Sequence, residues 1–210
     1  QLGIEYDRWR VGHAIMAALA VGLAIAHIQG AGHYTRAGWR GIVWFVSSAT
    51  WLFLIWYVRV ARPWTLLRRA RYRVQDVRAE RGRSWTLVLA PDGHDGLAFH
   101  PGQFAWVTLR ANPFQAREHP FSFSGSATSR TTLHFTIKEL GDFTRTIKDL
   151  RPGELAYVDG PYGAFTTDNH PDAAGFVFVA GGIGIAPIMS MLRTLADRGV
   201  RFRPLVPDHR

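Results

Sequence analysis

His13 and His27 lie fourteen residues apart inside Val11–Ile28, a stretch without a formal charge. Ionisable side chains within so apolar a run are rare and usually functional. Fourteen residues of α-helix turn through about 1400°, within about 40° of a common face, and rise about 21 Å. A neutral imidazole nitrogen is a good axial ligand for haem iron, so one helix with this spacing could serve two stacked haems, each taking its second ligand from another helix. The plainer reading, in which each imidazole hydrogen-bonds near a head-group boundary, stays open on the residues alone. A different chemistry is written near the other end, where Gly181-Gly182-Ile183-Gly184 follows the apolar run Phe176–Ala180 and precedes Ile185–Asp197, which has helical periodicity. Strand, glycine turn and helix in that order aim backbone N–H groups and a positive helix end at a phosphate.

The elements that must position these residues follow from hydropathy and turn signals. Val11–Ile28, 18 residues long, would form a helix of about 27 Å, close to the hydrocarbon thickness of a bilayer. Gly41–Val58 is a second uncharged run, carrying Trp44, Trp51, Trp56 and Tyr57 as interfacial anchors and followed at once by Arg59. A second span and the lack of a small-residue cleavage site exclude a signal peptide. His33 reads as an exposed residue of the linker, whose basic residues are Arg36 and Arg40. The flanks carry Arg8 and Arg10 before the first run, and Arg59, Arg62, Arg68, Arg69, Arg71 and Arg73 after the second. The positive-inside rule then puts both ends of the hairpin in the cytoplasm.

Beyond the arginines, Arg71–Ala79, Ser84–Ala90, Phe104–Arg110, Phe121–Gly125, Thr132–Lys138 and Glu154–Val158 have strand length and character, with turns at Pro91-Asp92-Gly93 and His100-Pro101-Gly102. Strands at this spacing predict a small antiparallel barrel, interrupted by a helix over Gly141–Leu150. Phe176–Ala180 reads as a buried parallel strand, Ile185–Asp197 as a helix stopped at Gly199, and Arg201–Val206 as the next strand. The mean hydropathy of −0.05 is thus the average of an apolar third and a polar remainder. Zero cysteines exclude disulfides, thiolate metal sites and cysteine nucleophiles, and 13% aromatic residues with 47% hydrophobic residues exclude disorder. The net charge of +9 is concentrated behind the second apolar run and accompanies no nucleic-acid-binding motif, so nucleic acid is excluded as the expected partner. Gln1 at the start and a pattern cut off at Arg210 are expected of a piece of a longer chain.

Four segments in order resemble one group of proteins: His119-Pro120-Phe121-Ser122-Phe123-Ser124, Ile137-Lys138-Glu139-Leu140-Gly141-Asp142-Phe143-Thr144, Gly160-Pro161-Tyr162-Gly163, and Val179 to Pro187. The chain is similar to the ferric reductases and NADPH oxidases, transmembrane flavocytochromes b whose soluble half is of the ferredoxin-NADP reductase type. The resemblance implies a multi-domain chain: transmembrane helices of a partial haem domain over 1–62, an antiparallel β-barrel FAD-binding domain over 68–168, and the start of an α/β NAD(P)-binding domain over 172–210. It implies that Phe121 packs along the isoalloxazine ring, with His119, Pro120 and Ser122 beside it, His119 standing where simpler reductases have arginine. Ile137, Lys138, Gly141, Phe143 and Thr144 would hold the rest of FAD, its pyrophosphate falling to Lys138, the Gly141 backbone and the Thr144 hydroxyl. Gly181, Gly182, Ile183, Gly184 and Pro187 would face NADPH or NADH. His13 and His27 become one side of two b-type haems, with second axial ligands from helices on another part of the protein or a partner chain.

The expected activity is electron movement from NAD(P)H through FAD and haem to an acceptor such as ferric iron or dioxygen, in a multi-pass membrane protein whose FAD domain is cytoplasmic. Lipid, the nucleotide and the acceptor are the expected partners. The alternatives are electron supply to a partner protein or to quinone, and a nonfunctional, membrane-tethered flavin- or nucleotide-binding module. Ordinary roles also exist for the residues concerned: a turn histidine before Pro120, a strand-end lysine at 138, core packing for Phe121 and Phe143, and close helix–strand packing for Gly184.

Overall fold

The first uncharged run becomes helix α1 (Tyr6–Ala31) and the second α2 (Gly38–Trp56), each somewhat longer than its apolar stretch. The computed structural model describes residues 6–32, 38–115 and 117–200; His33, Arg36 and the strand expected over Arg201–Val206 lie outside them. The chain forms two units, Gln1–Pro63 and Trp64–Arg210. In the first, large apolar side chains point outward on every side: Ile15, Met16, Leu19 and Leu23 on α1, and Ile42, Phe45, Trp51 and Phe53 on α2. A helix apolar all round has no face to offer water. Two helical stretches, Val11–Ala31 and Gly38–Arg69, are long and apolar enough to cross a membrane. Within α2 the Thr50 hydroxyl donates to the Val46 carbonyl at 2.8 Å, which satisfies it without water. The helix widens to a π-turn over Tyr57–Ala61 before α3 (Arg62–Arg69).

The second unit is an antiparallel sheet of β1 (Arg71–Glu80), β2 (Ser84–Pro91), β3 (Phe104–Leu109), β4 (Glu118–Ser122), β5 (Leu133–Lys138) and β6 (Leu155–Tyr162), in spatial order β4-β3-β6-β1-β2-β5. The two outer strands meet where the chain leaves β4. Phe123 bridges to Phe135, and the Ser124 amide donates to the His134 carbonyl at 2.8 Å. That seam closes the sheet into the barrel expected from strand spacing. Period-2 alternation fills it: Leu133, Phe135 and Ile137 of β5 point inward beside Leu87 and Leu89 of β2, Val107 of β3, and Phe123. Phe123 stacks on Phe99 at 4.0 Å and tilts against Phe135 at 5.0 Å.

Four sequence expectations are corrected. β4 begins three residues earlier than Phe121, because residues 118–122 pair with β3 while Phe123 already belongs to the seam. The helix expected over Gly141–Leu150 is a single turn, α4 (Asp142–Arg145), followed by a 3-10 turn at Ile147–Asp149, whose Ile147 is buried in the barrel. The strand expected over Glu154–Val158 runs on through Gly160 and Pro161 to Tyr162; a Cβ at Gly160 would stand 2.9 Å from that of Ala105, so glycine permits the close approach of β3. Phe176–Ala180 is neither a strand nor buried, with Val177 77% and Val179 87% exposed. A parallel strand needs a neighbour for its ladder, and none lies beside it among the described residues. Helix α5 (Ile185–Asp197) has the expected bounds and ends at Gly199, which adopts φ +80°.

Candidate functional site

β4 is an outer strand, and Pro120, which has no N–H to give a ladder, is tolerated there. Alternation puts His119 and Phe121 on one face and Pro120 and Ser122 on the other. The first face meets α4. The His119 ring lies over that of Phe143 with centroids 3.6 Å apart, and Phe121 is 6.2 Å from Phe143 and nearly parallel to it at 13°. Phe121 and Phe143 pack on the barrel core, as the ordinary reading of buried aromatics has it, yet all three rings remain partly exposed. One strand and one helical turn thus present a layered aromatic surface with one titratable member.

Leu140–Thr144 is built around one hydroxyl. Thr144 Oγ1 accepts from the amides of Leu140 (2.8 Å) and Gly141 (2.9 Å) and donates to the Gly141 carbonyl at 3.0 Å. It is therefore committed to the loop, and its effect on any bound anion is through the shape it gives the backbone. Those two amides being taken, Asp142 and Phe143 carry the first amides of α4, which by the rule for helix starts have no intrahelical acceptor. Gly141 leaves open space where a side chain would stand.

Alternation separates the two residues of β5 that the sequence paired. Ile137 is buried in the barrel and can offer a ligand only backbone, whereas Lys138 points out and lines a groove of about 480 Å³. Gly182, Ile183, Arg81 and Arg193 line the same groove. Lys138 thus joins the glycine turn, and no residue of α4 lines that groove. Gly182 has φ +53° at the start of the 3-10 turn Gly182–Gly184, a conformation open chiefly to glycine. Gly181, Gly182 and Gly184 are exposed, and Ile183 and Pro187 half-buried, the latter in the first turn of α5.

Sequence reasoning passed over the groups that hold these pieces in place. Glu139 accepts from the Trp85 indole N–H (2.8 Å) and from Arg83 (3.1 Å), tying the loop before α4 to β2 and the β1–β2 turn. The Trp85 bond, then Arg83, hold its carboxyl below the usual carboxylate range. A tryptophan on a strand needs an acceptor for its N–H, the one signal that pointed to Glu139. Arg193 of α5 donates to the Ser124 carbonyl at 2.6 Å, and Thr194 Oγ1 accepts from the Ala127 amide at 2.8 Å. The segment that leaves β4 is therefore also the seat of α5. His134, beside it, is shifted toward the neutral form, first by burial and then by Arg193 and Arg78.

In the other unit His13 and His27 are exposed on α1, and the Trp9 indole stacks on the His13 ring at 5.1 Å and 9°. Among the described residues no three histidine or acidic side chains cluster as a metal site.

No family model matches the chain. It is 30% identical over 149 residues to an NADPH oxidoreductase of Mycobacterium tuberculosis, covering 68% of this chain and 38% of that protein. It is 32% identical over 108 residues to the probable dihydroorotate dehydrogenase B electron transfer subunit of Methanocaldococcus jannaschii, covering 51% of this chain and 37% of that one. The solved phthalate dioxygenase reductase superposes with a TM-score of 0.56 at 24% identity, over 66% of this chain and 43% of its own. The barrel shares the fold of the matching part of that reductase. This chain spans less than half the length of these relatives, so the reductase-type barrel accounts for only part of each. CYP116B46 of Tepidiphilus thermophilus superposes with a TM-score of 0.52 at 27% identity, over 62% of this chain and 17% of its own.

Proposed function

We propose that the chain is the central part of a membrane-bound NAD(P)H-dependent oxidoreductase that passes electrons through FAD and b-type haem to an acceptor such as ferric iron or dioxygen. The observation that carries it is the stacked His119, Phe143 and Phe121 surface beside the Thr144-shaped loop, set on a reductase-type barrel. The relatives named NADPH oxidoreductase and electron transfer subunit support the electron-transfer reading. The haem and membrane parts rest on the two imidazoles of an otherwise apolar helix and on two helices of spanning length.

The residues fit the two groups by their chemistry. A planar ring finds aromatic faces at Phe121 and Phe143, and Gly141 leaves room for a phosphate against the start of α4. Imidazole suits haem iron, and His13 and His27 offer one ligand at each of two levels. When bound, the flavin would supply hydride acceptance and single-electron release, and the haem irons single-electron carriage. The chain's own part is to bind, orient and exclude water. Phe121, with Ser122 next to it on the strand, would fix the plane of the flavin ring, and His119, braced face-on by Phe143, would border its polar edge. Lys138, which the resemblance gives to the FAD pyrophosphate, shares a groove with the Gly181–Gly184 turn, and in this reading the two instead receive the nicotinamide nucleotide's phosphates and ring. The domain limits 1–62, 68–168 and 172–210, and a cytoplasmic barrel, are part of this proposal.

FAD is expected to copurify with the full chain, and His119→Ala with Ser122→Ala to strip most of it, read from visible absorbance per protein. Retention at the unsubstituted level would remove the flavin site from β4. Reduced-minus-oxidised spectra of membranes holding the chain together with its partner helices test the haem reading, and His13→Ala and His27→Ala should each abolish about half the signal. Reoxidation by ferric chelate, dioxygen or quinone, compared side by side, ranks the acceptors.

A further inference from the structure

The surface of α3 belongs to neither cofactor. Its turns place Trp64, Thr65, Arg68 and Arg69 on the exposed side, while Pro63 is buried and Leu66 and Leu67 are half-buried on the other. The Arg68 guanidinium lies over the Trp64 ring at 4.5 Å. Neither Arg68 nor Arg69 is in an ion pair among the described residues, whereas Arg71 and Arg73, just beyond, both meet Asp92 at 2.8 and 3.1 Å. Neutralisation from nearby sequence is absent too: no Asp or Glu occurs between Asp7 and Asp76. Trp64 follows Trp56, the last residue of α2, by eight positions, so even a fully extended chain would hold it within about 28 Å of that helix end.

We propose that this face of α3 binds the anionic head groups of a phospholipid bilayer, with Trp64 at the level of the head groups and Arg68 and Arg69 on their phosphates. The proposal rests on the reading that α2 spans the membrane. Charge complementarity selects the occupant: two unpaired guanidinium groups and an indole, tethered to a spanning helix, match an anionic interface rather than an apolar partner, and arginine's planar fork pairs with phosphate bidentately. Each basic residue near such a surface contributes about a factor of five in association.

The test uses the full chain in bilayers of phosphatidylcholine, with trace spin-labelled phosphatidylglycerol or phosphatidylcholine, and measures the fraction of each lipid immobilised by the protein. The expected result is a several-fold preference for phosphatidylglycerol that falls toward unity in Arg68→Gln/Arg69→Gln and in 0.5 M salt, and is kept in Arg68→Lys/Arg69→Lys. Equal immobilisation of the two lipids, or an undiminished preference in the glutamine variant, overturns the proposal while leaving the span intact. A chain that immobilises neither lipid overturns the span and the proposal together.

Discussion

The flavin-type segment and the glycine turn are both short motifs with a clear meaning in sequence, yet the structure treats them differently. His119 to Thr144 is held from three sides: β4 pairs with β3, Phe143 packs on the core, and Glu139 is tied to Trp85 and Arg83. Phe176 to Gly184 is held from one. Its helix α5 is seated on the barrel through Arg193 and Thr194, while four of the five apolar residues before the turn lie open and Phe178 is half-buried. The difference shows that a motif's residues and a motif's support are separate matters. The first site is positioned by contacts the barrel supplies, and the second has only its C-terminal half anchored that way.

The sharpest break in this comparison comes from the core beneath the first motif. Phe135 is fully buried, touches Phe123 and forms the seam bridge with it, so Phe135→Ala should cost about 3–5 kcal/mol. Urea unfolding of the full chain in detergent measures it, and flavin content should fall in parallel because β4 and β5 separate at the seam. A smaller effect is expected at Thr144→Val, which deletes the hydroxyl serving two amides and a carbonyl on an exposed loop and should cost about 1 kcal/mol. If flavin is kept while stability drops by that amount, the loop is a structural device only.

The anchored end of α5 can be weakened by acid. Asp168 takes two bonds from Arg198 just after α5, at 2.6 and 3.1 Å, and one from His100 at 2.8 Å. The Arg198 bonds chiefly, and His100 after them, hold its carboxyl below the ordinary range against an opposing push from burial. A carboxyl lowered in the folded state binds fewer protons there than in the unfolded chain, so stability rises with pH across this window. Its contribution is full above the unfolded value of about 3.9 and is lost as pH falls through the lower folded value. Asp168→Asn should therefore cost up to about 1 kcal/mol at neutral pH and make the acid limb shallower, leaving the share due to Glu139 and Glu154, which are also lowered. An acid limb unchanged in the variant would detach Asp168 from the seating of α5.

Much of this was legible in the sequence where local pattern and global packing agree. The alternation of Leu133 to Lys138, the uncharged runs that became α1 and α2, and the bounds of α5 are all set by periodicity over the element itself. The aromatic composition of the first motif was visible, but its stacking order was not, because the 3.6 Å contact of His119 with Phe143 depends on how a one-turn helix returns to an outer strand. Glu139, Arg193 and Asp168 escaped for the same reason: their partners lie from 30 to 69 residues away along the chain. Conversely, Phe176–Ala180 was overread, since an apolar run specifies a buried strand only when a neighbouring strand completes its ladder.

That last point gives the smallest expected effect and the most direct test of the contrast. Val177 and Val179 project 77% and 87% into the open, so Val177→Thr with Val179→Thr should change the stability of the chain by no more than about 0.5 kcal/mol. The same pair of substitutions made in a longer form of the protein that supplies a neighbouring strand would remove apolar area from a closed layer and add two hydroxyls to it, at a cost of about 1–3 kcal/mol each. Measuring both forms by urea unfolding separates the two accounts. Equal small effects would mean that these residues stay open whatever surrounds them, and a large effect in the present chain would mean that the glycine turn is already supported from its N-terminal side.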